Sequence, residues 1–502
     1  MKQTKTKAFV LALLGIVGLS ACGNPTADEN VEVEWWVPCG SDTTGNNIYA
    51  YCSEMAAAFT EANPDIKVKV TSKGSRSNDY NGAAGAVSDA LTGGNTPTMV
   101  TTYGTYVAAW RKAAPEAVAD VTSHGVALEA DADFNQDYLK VEKQQYNNTA
   151  YYSLPYSKSG ETLQYNVEAF AAVGDAVPGA AVENGYPAPK ARAEKKAYSV
   201  PTTFAEMMAL SSQIKTDYPS IDWGRGEDGY YKAVPVIYES AMNLFVTVLE
   251  SAGIPFLDIS KSPAQSAVFL DDQRVKDICV QLKKWSNEGL LATADQLPML
   301  NEHSHEYPST FVGNGKSFVM ITSTANAPWD AADGYSIGFT KVPKWEDSSA
   351  YRTLSQGPSI AFFNHANPKE LEGALKFYDF LTKKENTARL ALETYYFPTR
   401  KSSSEVEAIK KAVEDAGKTV TFETAYADKQ SAYLGEILLL NDDVTAKREY
   451  FMSPVNELSG KVRSAVTGIL RNLFNDVAKT SDADIRAMVD AQFASAKNTI
   501  LA

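Results

Sequence analysis

Four cysteines, four histidines and 61 acidic side chains bound the chemistry open to this chain of 502 residues. Cys279 lies in "RVKDICVQLKKWSNEGL", where Val275, Ile278, Leu282 and Trp285 recur at helical spacing and mark an apolar face. It reads as a buried thiol, because no histidine is placed to make it a nucleophile. Cys39 and Cys52 could close a short loop, and a bridge there would stabilise the fold by roughly 3 kcal/mol through lost chain entropy in the unfolded state. "HSHE", His303 to Glu306, offers His-x-His chelation, but no second cluster supplies the remaining ligands. "DADFNQDYLKVE" puts Asp131, Asp133, Asn135, Asp137 and Glu142 at calcium-loop positions 1, 3, 5, 7 and 12. The sixth position is Gln136 where the turn needs glycine, and "FNQDYLK" reads equally well as a helix capped by Asp133. No metal site is expected from either. "GNGKS", Gly313 to Ser317, suggests a phosphate loop, yet the glycine required five places before Gly315 is Thr310. It is expected to be the turn that ends a helix and leads into "FVMIT". Carboxylate pairs suited to glycoside hydrolysis exist in any chain this acidic, but no Ser-His-Asp or Cys-His arrangement stands out.

The remaining cysteine, Cys22, follows a basic start at Lys2, Lys5 and Lys7 and an apolar run from Ala8 to Leu19. That run falls well short of the roughly 20 residues a helix needs to cross a bilayer, so 1–21 is expected to be a secretory signal. Leu19-Ser20-Ala21-Cys22-Gly23 resembles the bacterial lipobox, in which the cysteine thiol receives a diacylglycerol and becomes the new N-terminus. A single acyl chain anchors only marginally, so two or three chains on Cys22 would be needed for stable attachment. Residues 22–30 are polar and aperiodic and read as a tether.

The elements that must position these side chains follow from the periodicity. "VEVEWWV" is a strand, "IYAYCSEMAAAFTEANPD" has helical spacing, "IKVKV" alternates, "NDYNGAAGAVSDALTGG" returns to helix, and "TMVTTY" supplies another strand. That order is the pattern of a parallel sheet with crossover helices, so an α/β fold is expected. In "AYYSLPYSKSGETLQYN", Pro155 cannot occupy a central ladder position, so the chain must leave one sheet there and resume pairing in another. Ala171 to Pro201 is a surface excursion, and "SDADIRAMVDAQFASAKNTIL" is a late helix with Ser481 or Asp482 as cap. Hydrophobic residues make up 44% of the chain, enough for large cores, and a net charge of −14 argues against nucleic acid or anionic lipid as a partner.

In order and spacing, "VEWWV", "FTEANPDIKVKV", "GGNTPTMVTTY", "YSLPYSKSGETLQYN", "FVGNGKSFVMITST", "QGPSIAFF", "ALKFYDFLTKKENTARLAL" and "YYFPTRK" resemble the extracellular solute-binding proteins that feed ABC importers, the group with maltose- and glycerol-3-phosphate-binding members. The resemblance implies a two-lobed, type II periplasmic-binding-protein-like α/β fold with a ligand cleft between lobes. It places 31–157 in the first lobe, 158–322 in the second, 323–357 in the first and 358–502 in the second with C-terminal helices. Crossings are then expected near Tyr156 to Thr162, Thr322 to Asn326 and Gln356 to Ile360.

Carried over from the glycerol-3-phosphate type, the ligand-binding positions fall at Tyr80, Ser159, Thr324, Gly357, Tyr396 and Arg448, and Tyr156 joins them as a further aromatic face suited to a polyol. These types suit a polyol: tyrosines face its C–H surface, Ser159 and Thr324 bind hydroxyls, and Arg448 could take a phosphate in bidentate fashion. Two positions depart from the pattern. Gly104 stands where an acidic residue is expected, and no tryptophan pair matches around Tyr238 to Asn243. The resemblance further implies a monomeric lipoprotein on the outer face of the cytoplasmic membrane that passes a carbohydrate or glycerol phosphate to an ABC permease without any cofactor. A glycoside hydrolase, and an adhesin or sensor on the same scaffold, are the rival classes.

Overall fold

The computed structural model describes residues 30–41, 48–75, 79–171, 197–301, 304–326, 337–405, 408, 411 and 449–501. Strand β1 (Val31–Val37) turns Val33 and Trp35 fully inward. Helix α1 (Ile48–Ala62) buries Tyr51, Cys52, Met55, Ala56 and Phe59 along one face and leads into β2 (Ile66–Ser72), parallel to β1. Helix α2 (Tyr80–Gly93) starts where the Asp79 carboxylate accepts the Gly82 N–H at 3.0 Å, and it stops at Gly94, whose φ of +74° suits glycine. Strand β3 (Met99–Thr102) pairs with β1 on the other side. The strand-helix alternation expected from periodicity is therefore what forms.

Helices α3 (Gly104–Ala113), α4 (Thr122–Glu129) and α5 (Gln136–Gln144) precede β4 (Ser153–Pro155) and β5 (Glu161–Asn166). The second lobe continues with α6 (Val167–Phe170), α7 (Phe204–Asp217), the β6 (Gly224–Arg225) and β7 (Tyr231–Ala233) hairpin, and β8 (Val236–Tyr238). Then come α8 (Ala241–Ser251), α9 (Gln273–Asn287), β9 (Leu291–Thr293), the β10 (Met299–Asn301) and β11 (Ser304–His305) hairpin, and α10 (Pro308–Gly313). Strands β12 (Val319–Ser323), β13 (Ile337–Thr340), β14 (Arg352–Leu354) and β15 (Ser359–Phe362) lead to α11 (Pro368–Leu381) and α12 (Lys384–Thr394). Strand β16 (Glu449–Phe451) and helices α13 (Ser459–Asn475) and α14 (Asp482–Leu501) complete the described chain.

Two five-stranded sheets result, ordered β2-β1-β3-β15-β4 and β13-β5-β12-β8-β9. Pro155 thus sits on an edge strand, as its missing N–H requires, and the next strand belongs to the other sheet. The chain crosses between lobes at Tyr156 to Gly160 and again at Ser355 to Pro358, and the two crossings are clasped: Ser159 N–H donates to Gln356 O at 3.0 Å, and Gln356 N–H to Ser159 O at 2.8 Å. Gly357 makes that clasp possible. Its φ is +84°, and a Cβ there would fall 2.1 Å from Ser157 O.

The expected lobe division differs from this pairing. Strand β13 pairs with β5 and stays in the second sheet, whereas β15 pairs with β3 and β4 in the first. Thr322 to Asn326 is therefore no crossing; Thr324 folds back onto Gly160, donating its N–H to Gly160 O at 2.8 Å and accepting Gly160 N–H at 3.1 Å. After β15, α11 packs Phe377 and Tyr378 into the first core beside Trp35, and further along the described chain β16 pairs with β14 and brings Phe451 into the second core. Short buried runs such as "VMIT" and "SIAF" carry no mark of which sheet they will join.

The first core centres on Trp35, Phe59 and Phe377, the second on Phe245, Phe269, Phe318 and the inner faces of α13 and α14. Ser481 caps α14 by accepting the Asp484 N–H at 3.2 Å. "GNGKS" is the turn after α10, with Gly315 at φ +66°. Among the described residues no helix is long and apolar enough to cross a membrane.

Candidate functional site

A cavity of about 290 Å³ opens between the lobes. The parallel strands β3 and β8 point their carboxyl ends toward the crossings, the edge at which α/β sheets hold ligands. The crossings form its floor through Lys158, Gln356, Gly357 and Ser359. Tyr103, Tyr106 and Gln145 come from the first lobe, while Ser453 and Arg463 approach from the segment after β16 and from α13. Three polar atoms on this wall, Ser355 Oγ, Gln356 Oε1 and Ser453 Oγ, are buried without a hydrogen-bond partner among the described residues. An unpaired buried polar group costs about 1–3 kcal/mol, so such groups clustered around one cavity suit a polar occupant.

Beneath the floor, Lys158 is fully buried and donates to Glu142 at 3.2 Å, to Ser359 Oγ at 2.7 Å and to Gly357 O at 3.3 Å. Burial lowers its pKa, and the Glu142 carboxylate pushes it back up. This ion pair joins α5 to both crossings. Across the cleft, burial raises Glu161 to about 7, opposed by hydrogen bonds from Tyr238 and Thr247. Glu239 is also raised by burial, and accepts from Thr322 Oγ1 at 2.6 Å and from Asn326 Nδ2 at 2.9 Å.

A smaller pocket beside the cavity is lined by Trp35, Cys39, Cys52, Tyr80, Tyr156 and Tyr396. Tyr80 meets Tyr103 edge to face at 4.6 Å, and the phenols of Tyr80, Tyr103 and Tyr396 hydrogen-bond to one another. Cys39 and Cys52 are free buried thiols. Burial pushes Cys39 up to about 11, and burial with the neighbouring Cys39 raises Cys52 as well. Cys279 is a third buried thiol, inside α9.

Of the positions singled out in the sequence, Gly357 lines the main cavity, and Tyr80, Tyr156 and Tyr396 line the smaller pocket. Tyr156 is only 3% exposed, with its ring edge on Trp35 at 5.9 Å, so it belongs to the core as much as to the pocket. Ser159 is buried and reaches Ser323 Oγ at 3.4 Å, and Thr324 is spent on Gly160. Arg448 and Cys22 lie outside the described residues. Among the cavity residues not singled out are Tyr103, Tyr106, Gln145, Ser355, Gln356, Ser453 and Arg463. Tyr103 and Gln356 were within reach, since each adjoins a motif glycine, Gly104 or Gly357. Nothing local distinguishes Arg463 from any other cation on an amphipathic helix.

The metal-like segments have other employment. Arg400 takes Asp131 at 2.7 Å, and Ser402 Oγ donates to Asp133 at 2.8 Å. Asn135 caps α5, not Asp133 as expected, because its side chain is the one that accepts the Asp137 N–H. The Gln136 amide donates to the carbonyls of Leu128, Asp131 and Phe134, and Glu142 holds Lys158. His305 Nδ1 sits 2.7 Å from Leu297 O, while His303 is outside the described residues.

No curated protein sequence matches the chain. Solved structures share its fold at low identity. The cyclic alpha-maltosyl-1,6-maltose binding protein of Arthrobacter globiformis is 15% identical with a TM-score of 0.61, over 94% of this chain and 98% of that one. The GacH receptor of Streptomyces glaucescens, solved unliganded and with acarbose, is 14% identical with a TM-score of 0.59, over 94% and 98%. UgpB of Mycobacterium tuberculosis, solved with glycerophosphocholine, is 15% identical with a TM-score of 0.58, over 93% and 97%. At the level of sequence, the profile described as bacterial extracellular solute-binding protein matches residues 54–417, which span the first sheet's helices, both crossings and most of the cavity floor. With more than half of its length matched by that profile, the chain belongs to the bacterial extracellular solute-binding protein family.

Proposed function

We propose that this protein captures a carbohydrate or other polyol in the interlobe cavity and delivers it to the membrane permease of an ABC importer, held at the outer face of the cytoplasmic membrane by lipid on Cys22. The observation that carries the reading is the set of unpaired polar groups, Ser355, Gln356 and Ser453, gathered in one cavity between the lobes. A polyol supplies donors and acceptors to satisfy all three, and the neighbouring tyrosines offer aromatic surface for its C–H faces. A solute touching both lobes binds the closed arrangement better than the open one and shifts the population toward it, with the clasped crossings as hinge. The permease then distinguishes the closed form, and no covalent step is required.

The test is a thermal-shift screen of the chain from Gly23 onward against mono- and oligosaccharides, glycerol phosphates and glycerophosphodiesters, with product analysis of each hit. A solute at 100 times its dissociation constant adds about 2.7 kcal/mol to the native state. Saturable stabilisation with the compound recovered intact is the expected result. Breakdown of the compound would support the hydrolase instead, and no shift with any compound would leave the adhesin or sensor as the better account.

A further inference from the structure

We propose that the cavity selects a solute bearing an oxyanion, phosphate or carboxylate, over its uncharged counterpart, with Arg463 and the amino end of α3 as receptors; this rests on the cavity being the solute site. The chain has 61 acidic residues and a net charge of −14, yet no aspartate or glutamate stands among the described residues lining the cavity, and two cations do. Lys158 is neutralised from below by Glu142. The Arg463 guanidinium makes no hydrogen bond or ion pair with any described residue; the groups that act on it through space are Tyr103, Glu161 and Tyr106. Glu161 is itself bound by Tyr238 and Thr247 and is not part of the cavity wall.

The amino end of α3 faces the same space. Its cap residue, Tyr103, makes no side-chain capping bond, and the N–H groups of Gly104 and Thr105 find no partner among the described residues. Free N–H groups and the helix dipole there favour a negative group. Gly104 also keeps the corner bare: a Cβ would fall 1.9 Å from Gln145 Oε1, so the Gln145 amide fills the space that any side chain at 104 would need. Independently of the helix, the hydroxyls of Ser355 and Ser453, 2% and 5% exposed, stand unpartnered on the same wall and can donate to an oxyanion. A planar guanidinium, two free backbone donors and two hydroxyls form a donor-rich surface suited to carboxylate or phosphate oxygens.

The experiment is calorimetric titration of the full-length protein in detergent with matched probes: glycerol and glycerol 3-phosphate, glucose with glucuronate and glucose 1-phosphate, and a neutral disaccharide with its uronate. The expected result is at least tenfold tighter binding of a charged probe than of its neutral counterpart, with Arg463→Gln costing the charged probe at least tenfold more affinity than the neutral one. The phosphate and uronate arms tell which oxyanion is taken. Should Arg463→Gln fail to fold, raising the ionic strength of the unaltered protein must weaken the charged probe alone. Neutral probes binding as tightly as charged ones, or a variant that weakens both equally, would overturn the proposal while leaving solute capture intact. Failure of every probe, charged and neutral, would overturn it together with the reading of the cavity.

Discussion

Replacing Lys158 by methionine should be among the most damaging single changes in the first lobe. Lys158 and Glu142 are both wholly buried, so solvent does not screen the pair, and the ammonium also holds Ser359 Oγ and Gly357 O. Lys158→Met leaves Glu142 as an uncompensated buried carboxylate, supported only by Ser153 and Ser359. Breaking a buried pair in this way costs about 3–5 kcal/mol. At roughly 2–4 °C per kcal/mol for a unit of 150–250 residues, the melting temperature should fall by about 6–20 °C. Adding Glu142→Gln removes the stranded charge but keeps an acceptor for both serines, so the double variant should recover much of the loss. Scanning calorimetry of the two singles and the double gives the coupling directly. A single-variant loss below about 1 kcal/mol, or a double variant as damaged as the sum of the singles, would refute the claim that this pair ties the crossings to α5.

Three further outcomes follow from the site. Glu161, raised by burial to about 7, keeps a proton that the unfolded chain, with its carboxyl near the ordinary 4.5, has released. Its contribution is therefore full below about 4.5 and lost as pH rises through 7, by at most about 3 kcal/mol; urea midpoints at pH 5 and pH 8 should differ in that direction, and Glu161→Gln should flatten the difference. Tyr396→Ala should weaken solute binding while leaving a cooperative melt, because it removes one phenol from the Tyr80 and Tyr103 cluster rather than from either core; unchanged affinity by calorimetry would count against placing the solute beside those tyrosines. Diamide oxidation should join Cys39 to Cys52, which share one small pocket, and leave Cys279 reduced inside α9; peptide mapping under non-reducing conditions checks this, and a bridge to Cys279 would contradict it.

Much of the first lobe was legible because its signals are local. Apolar spacing in "IYAYCSEMAAAF" and alternation in "IKVKV" each act within a few residues, and Pro155 marks a sheet edge through its own missing donor. The return of the chain to the first sheet at β15 was not legible, since "SIAF" is buried on both faces and its partners, β3 and β4, lie some 200 residues or more earlier. The site divided in the same way. Gly357 announces itself by a backbone conformation that other residues resist, whereas Thr324 looks like a ligand hydroxyl until its bond to Gly160 is seen. Arg463 becomes notable only once folding brings α13 against Tyr103 and Tyr106 and leaves the guanidinium without a carboxylate.

The most direct test of solute capture between the lobes is a structure of the protein with its strongest stabiliser from the compound screen. The account predicts that compound in the interlobe cavity, in contact with first-lobe residues such as Tyr103 or Gln145 and second-lobe residues such as Ser453 or Arg463, and satisfying the Ser355 and Gln356 side chains. A compound bound elsewhere, or held by one lobe alone with the cavity groups still unpaired, would contradict it.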